Sequence, residues 1–222
     1  MINLIKILQK KGFTYETKEA VYFDVAKFKN YGRLSGQKLE EKIQQAREEV
    51  YVDKEKKHPA DFALWFKKVG RFADHIMSWP SPWGDGFPGW HIECSAMSMK
   101  YLGETIDIHA GGIDHIPIHH ENEIAQSEAA TGKPFARFWF HNNFLKVDGA
   151  KMSKSLNNFY TIEDIKKKGV DALSLRYLFL QSHYRQTLNF TDESLKAADE
   201  AFKKLKEYII TLRKQTQRTV LS

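Results

Sequence analysis

Three short stretches of this chain carry residue types that could do chemistry together. Lys151-Met152-Ser153-Lys154-Ser155 sets two lysines in a serine-containing loop just after Gly149, a composition that suits a polyphosphate. Gly89-Trp90-His91-Ile92-Glu93-Cys94 and His119-His120-Glu121-Asn122-Glu123 offer thiolate, imidazole and carboxylate. Those are the donors that zinc takes at roughly 2.0–2.3 Å. A basic phosphate loop combined with a soft-ligand metal site points to a nucleotide-dependent enzyme that handles a sulfur compound.

Spacing refines the candidates. His119 and Glu123 are four residues apart, so a helix would project both from one face. His120 would be rotated away from that face by about 100°. Cys94 lies 25 residues before His119, beyond a predicted helix and strand, a separation that allows convergence at strand ends. Taken singly, a lone cysteine is more often a small buried hydrophobe, and His-x-x-x-Glu a surface pair. His109-Ala110-Gly111-Gly112-Ile113-Asp114 follows a predicted strand. Its glycines allow close backbone approach to a ligand, and Asp114 could accept hydrogen bonds from ribose hydroxyls. By itself such a run is more often a turn.

The elements that must position these residues can be read from periodicity. Ile2, Leu4, Ile5 and Leu8 before Gly12 predict a short helix with a glycine stop. Ala20-Val21-Tyr22-Phe23 predicts a strand, and residues 39–50 are charged and helix-prone. Residues 53–90, with Pro59, Pro80, Pro82 and Pro88, read as loop and docking surface, with Trp79, Trp83 and Trp90 half buried. Thereafter the pattern alternates as in an α/β fold. A helix is expected over 95–102, a buried strand over 105–109, a helix over 118–131 stopped by Gly132, and strand material over 135–147. Thr161 and Asp164 form an N-cap pair opening a helix that ends near Gly169. Thr191 caps a last helix whose Leu195, Ala198, Phe202, Leu205, Ile209 and Leu212 stripe is a packing face.

Composition sets the frame. A chain of 222 residues with 42% hydrophobic and 13% aromatic residues is a folded globular protein. A single cysteine excludes an intrachain disulfide and fits a reducing cytoplasm. No apolar run approaches bilayer length, so no membrane association is expected. The whole +6 excess charge lies in residues 151–222, which hold 14 Lys and Arg against 8 Asp and Glu. A basic surface beside a lysine loop suits a phosphate-bearing partner, although a solvated helix face alone would give the same count.

The three blocks, in this order, resemble the cysteinyl-tRNA synthetases, a class I aminoacyl-tRNA synthetase family. Tyr22-Phe23-Asp24-Val25, Tyr31-Gly32-Arg33-Leu34-Ser35, Asp61-Phe62-Ala63-Leu64-Trp65 and Ser81-Pro82-Trp83-Gly84 resemble the segment that family inserts between the halves of its nucleotide fold. Asp171-Ala172-Leu173 and His183-Tyr184-Arg185 resemble the entry to its helical part. The resemblance implies an α/β chain: a connective insertion over 1–85, the second half of a Rossmann-like catalytic domain over 86–170, and the start of a helical tRNA-binding domain over 171–222. It implies one zinc ion on Cys94, His119 and Glu123, and Trp90 as a wall of the amino-acid pocket. Gly111, Gly112, Asp114 and Lys154 would bind ATP with its magnesium, and Lys151 and Lys154 would act in catalysis. The partners would be L-cysteine, ATP and tRNA-Cys.

The family's His-Ile-Gly-His-like signature and its further zinc-ligating cysteine have no counterpart here. The resemblance therefore implies a fragment, inactive alone, with the other half of the fold as a partner and with His91, His109, His115 or His120 as candidates for the open metal position. Two other readings stay open: a non-catalytic tRNA- or partner-binding module, and a related zinc-dependent cysteine ligase. The chain departs from the family pattern at Phe87, at Ala150 and in His115-Ile116-Pro117-Ile118, where the proline stands one place early. A local change of path is expected on the way into the His119 helix.

Overall fold

The computed structural model describes residues 1–39 and 53–220, with side chains described to residue 216. The helix-prone stretch 39–50 lies, apart from Leu39, outside the described residues. The chain forms two compact units, Met1–Phe140 and His141–Ser222. That single division lies elsewhere than the boundaries expected at 85/86 and 170/171. Strand pairing runs straight across position 85, which explains why no compact unit ends there.

The first unit is built on a four-stranded antiparallel sheet in the order β1 (Thr14–Glu16), β2 (Ala20–Phe23), β3 (Phe62–Lys67) and β4 (Gly86–Pro88). Every residue of β2 is buried, as befits a run of β-formers in an interior strand. The reading of 53–90 as loop is corrected here. Phe62–Lys67 is an interior strand, because its aromatic and aliphatic residues pack on both faces of the sheet. The three tryptophans also separate: Trp83 is 9% exposed in the core, whereas Trp79 and Trp90 are 47% and 59% exposed. Asp61, buried just before β3, accepts hydrogen bonds from the Val25 and His58 amides and from the Tyr15 hydroxyl. It fixes how the chain enters that strand.

Helix α1 (Ile2–Lys10) buries Leu4, Ile5 and Leu8 against Phe23, Phe62, Trp83 and two further helices, α2 (Trp90–Leu102) and α3 (Glu121–Thr131). It ends before Gly12, at φ +80°, as the sequence predicts. The Lys11 ammonium donates to the carbonyls of Ala129 and Ala130 at the carboxyl end of α3, where a cation also favours the helix dipole. Strands β5 (Ile106–Gly112) and β6 (Ala136–Asn142) form a separate two-stranded sheet. Of the strand expected to be buried over 105–109, only Ile106 is buried; Ile108 lies exposed. Among the described residues, two strands do not cover both faces of one another.

In the second unit, β7 (Leu145–Val147) and β8 (Ala150–Lys151) form a hairpin around Asp148 and Gly149, both at positive φ. An Asp-Gly pair suits such a turn. Strand β9 (Leu188–Phe190) adds in parallel to β7. Thr161 and Asp164 make the expected reciprocal cap of α4 (Ile162–Lys167). Helix α5 (Ala172–Leu180) packs with the first turns of α6 (Asp192–Val220), burying Leu175, Leu178, Leu195 and Ala198. Farther along the α6 stripe, Leu205, Ile209 and Leu212 are exposed. Among the described residues, no helix is long and apolar enough to cross a membrane.

Candidate metal centre and nucleotide residues

The metal candidates are set by the start of α2 and by the segment that leads into α3. Helix α2 starts at Gly89, whose Cα lies against the backbone of β3; a Cβ there would sit 2.0 Å from the Ala63 carbonyl oxygen. That close approach directs Trp90, His91 and Cys94 toward the start of α3. The segment Ile116–His120 forms a π-helical turn that runs directly into α3. Gln126 and Ser127 of α3 join Ser95 of α2 through buried hydrogen bonds of 2.6 and 2.8 Å, and Gln126 also donates to the His91 carbonyl. This polar seam sets the spacing of the two helices.

One donor atom from each of Cys94, His119 and Glu123 lies within 4.8 Å of the others. A second trio, His109, His120 and Glu123, meets the same limit. The expectation that His120 turns away from Glu123 is corrected. Its Nε2 lies 3.9 Å from Glu123 Oε2, against 3.8 Å for His119 Nε2. Four and three residues before Glu123, at the end of the π-helical turn, His119 and His120 lie about 40° and about 60° to either side of it around a helix, so the two positions straddle the carboxylate. The turn coincides with the segment where the proline stands one place early.

The electrostatics follow from burial. Glu123 is fully buried; its Oε2 contacts His109 Nε2 at 2.7 Å, and its Oε1 has no hydrogen-bond partner among the described residues. Burial pushes its carboxyl above the usual carboxylate range. Burial and neighbouring imidazoles push His91 and His119 down to about 3 and about 4, so both are uncharged at neutral pH. Their Nδ1 atoms stand 2.8 Å apart. Burial, with the nearby Glu123 and Glu93 carboxylates, raises the Cys94 thiol to about 11. Neutral imidazoles, a desolvated carboxylate with an unpartnered oxygen and a thiol are the donors a divalent cation of zinc's softness requires. A cation there would favour the thiolate and give Oε1 its missing partner.

Trp90 is not in the core. Its exposed ring lies 4.4 Å, centre to centre, from that of His119, over one side of the cluster. Gly111 and Gly112 end β5, and Asp114 follows in a single 3-10 turn with an exposed carboxylate. The close approach at these glycines is to the chain's own side chains. A Cβ on Gly111 would lie 2.7 Å from His120 Cε1, and one on Gly112 would lie 2.3 Å from Asp114 Oδ1. Lys151 and Lys154 belong to the second unit, both exposed. Asn158 anchors their loop, accepting from the Ser153 amide and donating to the Lys151 carbonyl.

Sequence reasoning missed Glu121 and Asn122. The buried Glu121 carboxylate accepts the amides of Gly32 and Ser35, and Asn122 accepts from the Tyr31 hydroxyl. The polar run His119–Asn122 thus also fastens the 31–35 loop to α3, and nothing in its spacing announces that second task.

The chain is similar to known proteins along most of its length. The family of class I (C) tRNA synthetase catalytic domains matches residues 1–200. The cysteine–tRNA ligase of Chlorobaculum tepidum is 51% identical over 206 residues, covering 93% of this chain and 41% of the relative. That of Treponema denticola is 51% identical over 205 residues, covering 92% and 41%. That of Rippkaea orientalis is 53% identical over 212 residues, covering 94% and 43%. The chain thus spans about two fifths of the length of these relatives. With a match over most of its residues, the chain belongs to the class I (C) tRNA synthetase catalytic-domain family.

Proposed function

We propose that this chain supplies part of the catalytic machinery of a cysteine–tRNA ligase, which activates L-cysteine with ATP and passes it to tRNA-Cys. The observation that carries the reading is the convergence of Cys94, His119 and Glu123 within 4.8 Å, in a chain about half identical to proteins of that name. Those three residues would hold zinc. When bound, zinc supplies direct ligation of the substrate thiolate, a discrimination against serine that an apolar pocket makes poorly. Trp90, exposed beside His119, would close one side of the amino-acid pocket.

Asp114 would accept hydrogen bonds from the ribose of ATP, beside the Gly111-Gly112 turn. In the activation step a cysteine carboxylate oxygen attacks the α-phosphorus, and the bond to the bridging oxygen breaks. Pyrophosphate leaves with that electron pair, accompanied by magnesium. Lys151 and Lys154 would neutralise the developing charge, with Lys154 the principal phosphate contact. In the second step a terminal hydroxyl of the tRNA attacks the cysteinyl carbonyl and displaces AMP. The basic excess of residues 151–222 suits that polyanionic partner. Because the chain spans about two fifths of its relatives, we expect it not to complete activation by itself.

The test uses cobalt in place of zinc on the full chain. One equivalent of Co2+ should give a thiolate-to-metal charge-transfer band. L-cysteine should intensify that band, and L-serine at the same concentration should not. Absence of the band, or an equal response to serine, would sink the proposal.

A further inference from the structure

The imidazoles outside the Cys94 set form a site of their own. His109, His120 and Glu123 each place a donor atom within 4.8 Å of the other two. We propose that this trio is a second divalent-cation set, which shares Glu123 with the thiolate set and holds zinc when the thiolate is denied to it. The inference rests on the metal reading above only through the shared carboxylate.

Two imidazoles and a carboxylate with an open position form a common zinc arrangement. Both rings are oriented without any metal. His109 stands edge-on to Trp139 at 4.9 Å and to Phe135 at 5.5 Å, and His120 packs on the same Trp139 at 4.9 Å. Their ring centres are 4.7 Å apart. Such support from surrounding residues is what fixes ligand geometry in metal sites. Gly111 belongs to the same construction, since a Cβ there would lie 2.9 Å from His120 Nε2 and push the ring aside. Glu123 offers Oε2 at 2.7 Å from His109 Nε2, while Oε1 is buried and unpartnered. A nitrogen–oxygen set is harder than one containing thiolate, so zinc should favour the Cys94 set and use this one as a reserve. Removing Cys94 and His119 would then leave the chain able to hold metal.

The experiment compares two forms of the full chain. One is the Cys94→Ser/His119→Asn double variant. The other is the wild type with its single cysteine capped by methyl methanethiosulfonate, which involves no substitution. Each is titrated with Co2+ and then challenged with Zn2+. Both should bind one equivalent with d–d absorption and no thiolate charge-transfer band, at an affinity roughly 10–100-fold below the untreated chain. Adding His109→Asn and His120→Asn to the double variant should abolish binding. The same two changes in the otherwise native chain should leave the charge-transfer band in place. The proposal falls if neither form binds an equivalent, or if binding survives loss of both histidines. If the native chain lacks the thiolate band while the capped chain binds cobalt, the Cys94 reading fails and the second set stands.

Discussion

The candidate metal cluster and the lysine loop would, on the proposed reading, solve opposite problems with opposite materials. The cluster sits on helix starts, with His119, His120 and Glu123 nearly inaccessible and their positions fixed by a buried polar seam. The lysine loop follows a hairpin with a two-residue turn, with both lysines exposed and with local hydrogen bonds involving Asn158, Ser153 and Asn157 as its braces. Burial strips the first region of hydration, and that shifts the His91 and His119 imidazoles, the Cys94 thiol and the Glu123 carboxyl toward their uncharged forms. Exposure leaves both lysines of the second region within reach of a dissolved ligand. A soft-metal site benefits from fixed, desolvated donors. A polyphosphate that arrives and departs needs cations that can follow it.

The largest effect should come from Glu123, which belongs to both donor sets. Glu123→Gln keeps the volume and removes the anion, so zinc affinity should fall at least about 100-fold, with little change in helix content. Metal analysis and circular dichroism together check this. Retained zinc would show that the carboxylate is a structural acceptor for His109 and not a ligand. Next comes Cys94→Ser, which should weaken zinc by removing the softest donor while the nitrogen–oxygen trio retains a residue of binding. His119→Asn should weaken the thiolate-bearing site more than His120→Asn does, because only His119 shares the trio with Cys94. An inverse order would mean that the second trio is the principal one.

How much of this was legible depended on the kind of signal. Helix starts and stops were readable where a single residue dictates geometry: Gly12, Gly132, and the Thr161–Asp164 pair. The interior strand Phe62–Lys67 was obscured because prolines on either side suggested loop, while its own residues, buried on both faces, show no alternation. Cys94, His119 and Glu123 were visible as donors, yet the place of His120 was not. Only the four-residue spacing was counted as a shared face, whereas the three-residue spacing of His120 and Glu123 puts that pair on one face as well. The buried polar face of α3 was also hidden, since nothing in the local pattern of Glu121, Asn122, Gln126 and Ser127 tells a buried polar face from a solvated one. Their partners lie up to 91 residues away, beyond the reach of local pattern.

The lysine loop should respond differently. Lys154→Ala removes an exposed side chain, so thermal stability should move by no more than about 0.5 kcal/mol. Affinity for magnesium–ATP should nevertheless fall about 10-fold or more, the scale of one lost charged hydrogen bond. Calorimetric titration beside a melting curve separates the two. A destabilised variant with unchanged nucleotide affinity would make Lys154 structural and would erase the contrast with the cluster.

The smallest effect concerns acid stability in the second unit. Asp199 accepts from the Lys203 ammonium at 2.6 Å and from the Ser174 hydroxyl at 2.7 Å, and these bonds hold its carboxyl below the usual carboxylate range. A carboxyl whose pKa is lower in the folded chain than in the unfolded one stabilises the fold above the unfolded value. That contribution is lost as pH falls through the folded value. The Ser174 bond joins α5 to α6 in a buried position, so it should contribute about 1 kcal/mol at neutral pH, and the exposed lysine little more. Asp199→Asn should therefore lower the melting temperature slightly at pH 7 and make no difference once pH lies below the folded carboxyl's range. Melting curves from pH 7 down to acid would display that convergence. A gap between variant and wild type that stays constant into strong acid would mean that packing at the α5–α6 contact, rather than the charge, accounts for the loss.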